Sequence, residues 1–411
     1  MSTIDREGCA DRDRADPLAA FRSRFAIPDG LVYLDGNSLG ALPRETMASV
    51  ETAVAGEWGG GLVRSWSSAG WMTLPVLVGD KIARLVGAGP GEVIVGDSTT
   101  VCLYKVVRAA LAMRAGRHLV LTETENFHTD LYVADAAARD AEASLLAVPR
   151  AELMNRLGDD VAVLLLTHVD YRTGEMHDMS AVTSAAHEVG ALVVWDLSHS
   201  VGAVPVALGA AGADLAAGCG YKYLNGGPGA PAFMYVRGGL QDDLINPLPG
   251  WLGHSDPFAF EPRFRPAAGI RSMVTGTPPV LQLVALSSAL DVWLDADMAA
   301  VRAKSLELTE LFIMLVEQRC AGAGFSVLSP REPSRRGSQV SLGHRDGYGI
   351  VQALAEHDVV ADFRAPDTCR FGFAPLYLRH VDVWDAVDRL CTVLDQRAHL
   401  DPRFAVRAAI T

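Results

Sequence analysis

The stretch Gly220-Tyr221-Lys222-Tyr223-Leu224-Asn225-Gly226-Gly227 decides how the chain is read. One lysine stands between two tyrosines, after the small-residue run Ala216-Ala217-Gly218-Cys219-Gly220. A Gly-rich turn to Gly229 follows. Lysines are seldom buried. In a tight, apolar setting the ammonium is disfavoured and the free amine becomes a nucleophile towards carbonyls. Taken alone, Tyr-Lys-Tyr reads as a surface loop. What precedes it in the chain changes that reading.

Working outward, strand-like and helix-like segments alternate. Strands are expected at Glu92–Gly96, His118–Thr122, Ser144–Val148, Val161–Leu166, Ala191–Trp195 and Asp214–Gly218. Helical patterns lie between them. The strands are continuous apolar runs, as in parallel strands covered on both faces. This βαβ series predicts an α/β domain with a mainly parallel sheet and ligands at the carboxyl ends of the strands. Polar residues gather at those ends: Thr99 and Thr100, Phe127 to Asp130, Thr167, Asp196 to His199, and Lys222.

The remainder is less regular. Residues 1 to about 16 read as disordered by composition. Pro43 is expected to start a helix running towards Trp58, broken by Gly59-Gly60-Gly61. Trp66 to Trp71 either packs internally or presents an aromatic surface. Two long helices are expected over Val280–Gln318, followed by a smaller α+β region. The expected division is an N-terminal segment (1–45) associated with the small domain, a large cofactor-binding domain (46–290) and a small C-terminal domain (291–411).

Composition narrows the function. The chain has 411 residues, 49% of them hydrophobic, and a net charge of −13. That balance argues against a nucleic-acid partner, which needs a basic face. Cys9, Cys102, Cys219, Cys320, Cys369 and Cys391 are scattered, giving neither a zinc spacing nor a disulfide framework. A reducing cytosol is expected. The N-terminus lacks a signal-peptide core, and no apolar run is long enough to span a bilayer.

Pyridoxal phosphate asks a protein for a lysine, a carboxylate, a stacking aromatic, phosphate donors and a cation for the substrate carboxylate. Each has a candidate. Lys222 can form the Schiff base. Asp196 ends a buried strand, as a helix cap or as the partner of the pyridine nitrogen. Phe127 is a core residue or a ring stacker. Thr99 and Thr100 are N-caps or phosphate donors. Arg370 makes a surface ion pair or grips a carboxylate in both arms.

At this point the residues resemble a family. Asp196-Leu197-Ser198-His199, Tyr221-Lys222-Tyr223-Leu224-Asn225 and Gly250-Trp251-Leu252-Gly253-His254 look like those of kynureninase, a fold-type-I pyridoxal-phosphate hydrolase. Gly36-Asn37-Ser38-Leu39-Gly40, Thr173-Gly174-Glu175 and Arg370 with Ala374-Pro375-Leu376-Tyr377 extend the likeness from about residue 30 to 395. The resemblance implies hydrolysis of L-kynurenine, or of 3-hydroxykynurenine, to anthranilate and L-alanine in tryptophan catabolism. It implies that Lys222, Tyr221 and Asp196 are catalytic. It also implies that Thr99, Thr100, Phe127, Asp130, Thr167, His199, Tyr221, Trp251 and Thr277 hold the cofactor. Trp251 and Thr277 would come from the partner subunit of a homodimer. Arg370 would bind the amino-acid carboxylate. Trp66, Trp71, Trp251 and His254 are candidates for the aryl slot. His128 and Cys102 depart from the family, which usually has Pro and often Asn there. The alternatives are an aminotransferase, a cysteine desulfurase-like lyase, or a catalytically dead relative.

Overall fold

Val161–Thr167 is buried along its whole length and forms the middle of the principal sheet. The computed structural model describes residues 5–407. In chain order the strands are β1 (Val32–Tyr33), β2 (Val93–Val95), β3 (Leu119–Glu123), β4 (Ser144–Val148), β5 (Val161–Thr167), β6 (Leu192–Asp196), β7 (Leu215–Gly218), β8 (Phe233–Val236), β9 (Ser326–Val327), β10 (Gln339–Gly343), β11 (Val359–Val360), β12 (Asp362–Arg364) and β13 (Thr368–Gly372). The principal sheet has the order β2-β8-β7-β6-β5-β3-β4. Its strands are parallel except β8, which runs antiparallel to both neighbours.

The apolar runs are continuous because both faces are covered. Along β6, Val193 and Trp195 enter one hydrophobic cluster, whereas Leu192 and Val194 enter the other. A pleated strand with helices on both sides requires this division. The carboxyl ends of β3, β5 and β6 therefore open on one side of the sheet, at Glu123, Thr167 and Asp196.

A second sheet, β12-β13-β10-β9, is wholly antiparallel. The helices Met298–Arg319 and His380–Asp395 belong to this part of the chain. The fold class is thus α/β with a mainly parallel sheet, followed by a C-terminal α+β region. Among the described residues no helix is long and apolar enough to cross a membrane.

The N-terminal segment departs from expectation. Arg6–Ala15 is a helix, capped where Gly8 N donates to Asp5 Oδ1 at 2.8 Å. Charges that suggested disorder are spent partly within the helix, where Arg14 pairs with Glu7 and Asp11, and partly on distant partners. Arg6 pairs with Asp385 at 2.7 Å, and Asp13 Oδ1 accepts from His380 N at 2.7 Å. β1 then pairs in parallel with β11. Residues 1–4 of the segment expected to be disordered lie outside the described residues.

The glycines at 59–61 do not end their helix. Arg44–Glu51 continues as a wider π-helical stretch, Thr52–Gly61, which stops at Leu62 with φ +54°. Glu57 anchors this stretch: its carbonyl accepts from Ser65 Oγ at 2.6 Å, and its carboxylate from Trp71 Nε1 at 2.8 Å. Of the two sequence readings for this aromatic segment, Trp71 follows the internal one. It is buried, edge-on to Trp66 with ring centroids 5.5 Å apart.

Candidate active site

The strand ends open into a cleft with about 600 Å³ of free space. Its wall includes Thr99, Thr100, Phe127, Asp130, Thr167, Asp196, His199, Tyr221 and Lys222. These are sequence candidates, gathered from segments more than a hundred residues apart. Thr129, Tyr171 and Ser198 also line it.

Lys222 is placed by its own turn. Asn225 N donates to the Lys222 carbonyl at 2.9 Å, and Gly226 N donates to Gly220 O at 2.9 Å. Asn225 adopts φ +61°, a left-handed conformation that Asn tolerates. Gly40 also packs on this turn, where a Cβ would lie 2.2 Å from the Lys222 carbonyl. The Lys222 Nζ lies 3.0 Å from His199 Nε2. Burial first, then the Lys222 charge, pushes the His199 imidazole well below its usual range. The ring is therefore neutral and can accept from Lys222. Its Nδ1 is buried without a partner.

Asp196 ends β6 at 3% exposure. Its Oδ1 accepts from Ser198 N at 2.8 Å and from Ser198 Oγ at 2.6 Å. No helix follows it directly, so the cap reading fails. Asp130 lies in hydrogen-bond contact with it. Two buried carboxyls in contact do not both ionise. Burial, then the Asp196 charge, drives Asp130 well above the carboxylate range. Asp196 has the Ser198 donors and the Lys222 charge, so the proton belongs to Asp130.

Phe127 precedes the helix His128–Arg139. Asn126 fixes that turn, accepting from Phe127 N at 2.7 Å and from Thr167 Oγ1 at 2.5 Å. Tyr171 meets the Phe127 ring edge-on at 5.0 Å. Tyr171 was missed in the sequence; its only signal was a position shortly after β5, before the turn at Gly174. His128 is exposed and lies against Phe127, with ring centroids 4.2 Å apart. At the cleft's other end, Ser98 is the N-cap of Thr99–Ala112. The first free N–H groups of that 14-residue helix belong to the Thr99-Thr100 turn, which suits an anion.

Two sets of candidates lie elsewhere. Trp251 and Thr277 are exposed and absent from this cleft. They share one loop module. A Cβ at Gly250 would lie 1.9 Å from Thr275 O, and Asn246 Nδ2 donates to Ser272 O at 2.9 Å. Trp66, Trp71 and His254 are likewise not on the cleft wall. Arg370 is 1% exposed, so it is no surface ion pair. Its Nε donates to Asp362 Oδ1 at 2.7 Å, its Nη2 also bonds Asp362, and its Nη1 donates to Tyr171 O at 2.9 Å. It stands directly behind the Tyr171 wall.

Residues 301–390 match the kynureninase C-terminal domain family. A cysteine desulfurase from Thermococcus onnurineus NA1 shares the fold, with a TM-score of 0.78 at 14% identity over 97% of this chain and 99% of that one. At that identity only the fold is shared. A kynureninase from Burkholderia pseudomallei (strain 1106a) is 48% identical over 414 residues. One from Pseudomonas fluorescens is 48% identical over 413 residues, and both alignments cover 99% of each partner. Identity at that level from end to end means that the chain belongs to the kynureninase family.

Proposed function

We propose that this chain hydrolyses L-kynurenine to anthranilate and L-alanine by cleaving the Cβ–Cγ bond, with pyridoxal phosphate held in the Lys222 cleft. The observation that carries it is the meeting of Lys222 and Asp196 in one cleft, in a chain of this family. The residues fit the cofactor. An amine, a buried carboxylate, an aromatic face and a helix N-terminus line one cavity, and His199 keeps a buried nitrogen without a partner. Bound there, the cofactor supplies an electron sink for the substrate α-carbon.

The protein's own groups do the rest. Lys222 Nζ removes the α-proton, steadied by neutral His199. Asp196 supplies a fixed negative charge, and protonated Asp130 donates to it. Thr99 and Thr100, with their free N–H groups, hold the phosphate; Thr167 completes the floor. Phe127 and Tyr171 close the cleft side and exclude water. Burial raises the Tyr221 hydroxyl above its ordinary pKa, so it keeps its proton. It can give that proton to the departing carbon after water adds to the ketone. Arg370 holds the substrate carboxylate behind Tyr171.

The active unit is a homodimer in this reading. Trp251 stands in an exposed aromatic patch with Phe258 and Phe260, which are 63% and 83% exposed. Patches of this kind mark interaction surfaces. Trp251 and Thr277 would complete the partner's site. The domain division in this reading is 1–45, 46–290 and 291–411. Location in the cytosol fits the free cysteines. A desulfurase reading needs a mobile thiol, but Cys369 is buried in β13 and Cys320 is buried at a helix end.

Product analysis tests the function. Anthranilate and alanine should form from kynurenine, and the rate with 3-hydroxykynurenine sets the preference. Turnover of cysteine to sulfide without kynurenine cleavage would exclude the reading.

A further inference from the structure

Arg370 does not act alone. Asp362 on β12 takes Arg370 Nε at 2.7 Å and its Nη2 as well. Arg364 Nη2 lies 3.0 Å from Asp362 Oδ2, and Ser38 Oγ donates to the same oxygen at 2.6 Å. A second carboxyl, Asp35, stands beside this group and feels both arginines. Its Oδ1 is buried and has no hydrogen-bond partner.

Two guanidiniums and two carboxyls therefore share one largely buried cluster. With all four charged it is neutral before any substrate arrives. An incoming carboxylate would then be a buried charge without compensation, which is costly. Asp362 cannot relieve this, since every one of its contacts is a donor to an anion. Asp35 has the partnerless oxygen.

We infer that Asp35 sets the charge of the substrate-carboxylate site, holding a proton while the carboxylate is bound so that Arg364 and Arg370 carry one net positive charge. The inference rests on the reading of Arg370 given above. The groups facing Asp35 are Tyr33 on β1, Tyr223, Tyr377, Asp362 and Arg364 on β12, and Arg370 on β13. Burial raises all three tyrosines above their ordinary values, so they stay neutral while Asp35 titrates. Guanidiniums keep their charge throughout this pH range. Burial first, then the Asp362 charge, pushes Asp35 up to about 7. Burial also raises Asp362, but the Arg370 guanidinium outweighs it and holds that carboxyl below the usual range. The proton therefore sits on Asp35. Binding an anion takes up a proton above neutrality, and affinity falls as pH rises through the Asp35 transition.

The test uses the holoenzyme and kynurenine lacking its α-amino group, with the primary amide of that compound as control. Calorimetry in two buffers of different ionisation enthalpy reads affinity and proton uptake together. For the wild type, a one-unit rise of the Asp35 pKa from about 7 on binding predicts carboxylate affinity about sevenfold weaker at about pH 8.5 than at about pH 6. Proton uptake should peak at about pH 7.5, with about half a proton per ligand, and the amide should show neither effect. Asp35→Asn is permanently neutral and should keep the low-pH affinity at both values without proton uptake. A wild type with no proton uptake and a flat profile overturns the inference even if Asp35→Asn fails to fold. So does an Asp35→Asn protein that keeps the wild-type pH limb. Arg370→Ala separates the two ideas. If it still prefers carboxylate over amide as the wild type does, the Arg370 reading itself fails, and this inference with it. If it loses that preference while Asp35→Asn behaves as wild type, Asp35 alone is excluded.

Discussion

Lys222 Nζ and His199 Nε2 lie 3.0 Å apart, and His199 is the hydrogen-bond partner found for the lysine amine. The imidazole comes from the turn just after β6, and the lysine from the turn just after β7. Neighbouring parallel strands thus bring them together. Lys222→Ala should remove the visible chromophore of the cofactor-loaded protein and its fixation by borohydride. Its melting temperature should stay close to that of the wild type. A borohydride-stable adduct in Lys222→Ala would move the covalent site elsewhere.

Asp196 gives a prediction of a different kind. In the proposed mechanism its charge acts where charge develops in the reaction, so Asp196→Ala should retain cofactor but lose orders of magnitude in single-turnover rate. A purely structural carboxylate predicts about 1 kcal/mol of lost stability with near-normal chemistry. Melting temperature and single-turnover rate on one preparation separate these outcomes.

Arg370→Ala should keep the cofactor chromophore and raise the KM for kynurenine. Losing a buried charge partner typically costs about 2 to 5 kcal/mol. Asp362 would lose its bidentate partner as well, so a lowered melting temperature is expected. Unchanged KM and kcat would rule out the carboxylate role.

Acid stability should depend on His168. The ring is 4% exposed and lies 3.0 Å from Ser200 Oγ through Nδ1. Burial, then neighbouring His177, pushes it down to about 3. The unfolded chain binds a proton below about 6.5, whereas the fold refuses it. The stability due to neutral His168 is thus fully present above about 6.5 and is lost as pH falls towards 3. By about pH 5 the loss should be roughly 2 kcal/mol. Denaturant titrations of wild type and His168→Gln should show a shallower acid slope in the variant; parallel slopes would contradict it.

A site completed by the partner's Trp251 and Thr277, as proposed, would require association. The homodimer should be the smallest active species, and Trp251→Ala should weaken cofactor retention although Trp251 is absent from its own chain's cleft. Full activity from a sample that sediments as monomer would end this reading.

Most of the cleft was legible because each candidate follows a continuous apolar strand, and parallel strands deliver their carboxyl ends to one side. Lys222, Asp196, Thr167 and the Phe127–Asp130 turn are all placed by that rule. The rule fails where partners are remote. Arg6 to Arg14 reads as a solvated charge run, because the distant residues that pair with it lie on the last long helix. Asp362 and Arg370 meet across two short antiparallel strands that sequence pattern resolves only as a pair. Tyr171 sits in a turn, where no periodicity points at the cleft. The helix through Gly59–Gly61 continued because Glu57 is anchored by Ser65 and Trp71, which local propensity does not register.

The helix Arg6–Ala15 carries one last consequence, for synthesis. Its anchors are Asp385 and His380, separated from Arg6 by 379 positions in one case. A ribosome makes roughly 5–20 residues each second, and the amino-terminal part normally folds first. Here the helix cannot dock until His380 and Asp385 have been made. Until then it waits, while the principal sheet, made of earlier strands, can already assemble. Docking of this helix is therefore a late step of assembly, and weakening its Asp385 and His380 contacts would burden that step before the principal sheet.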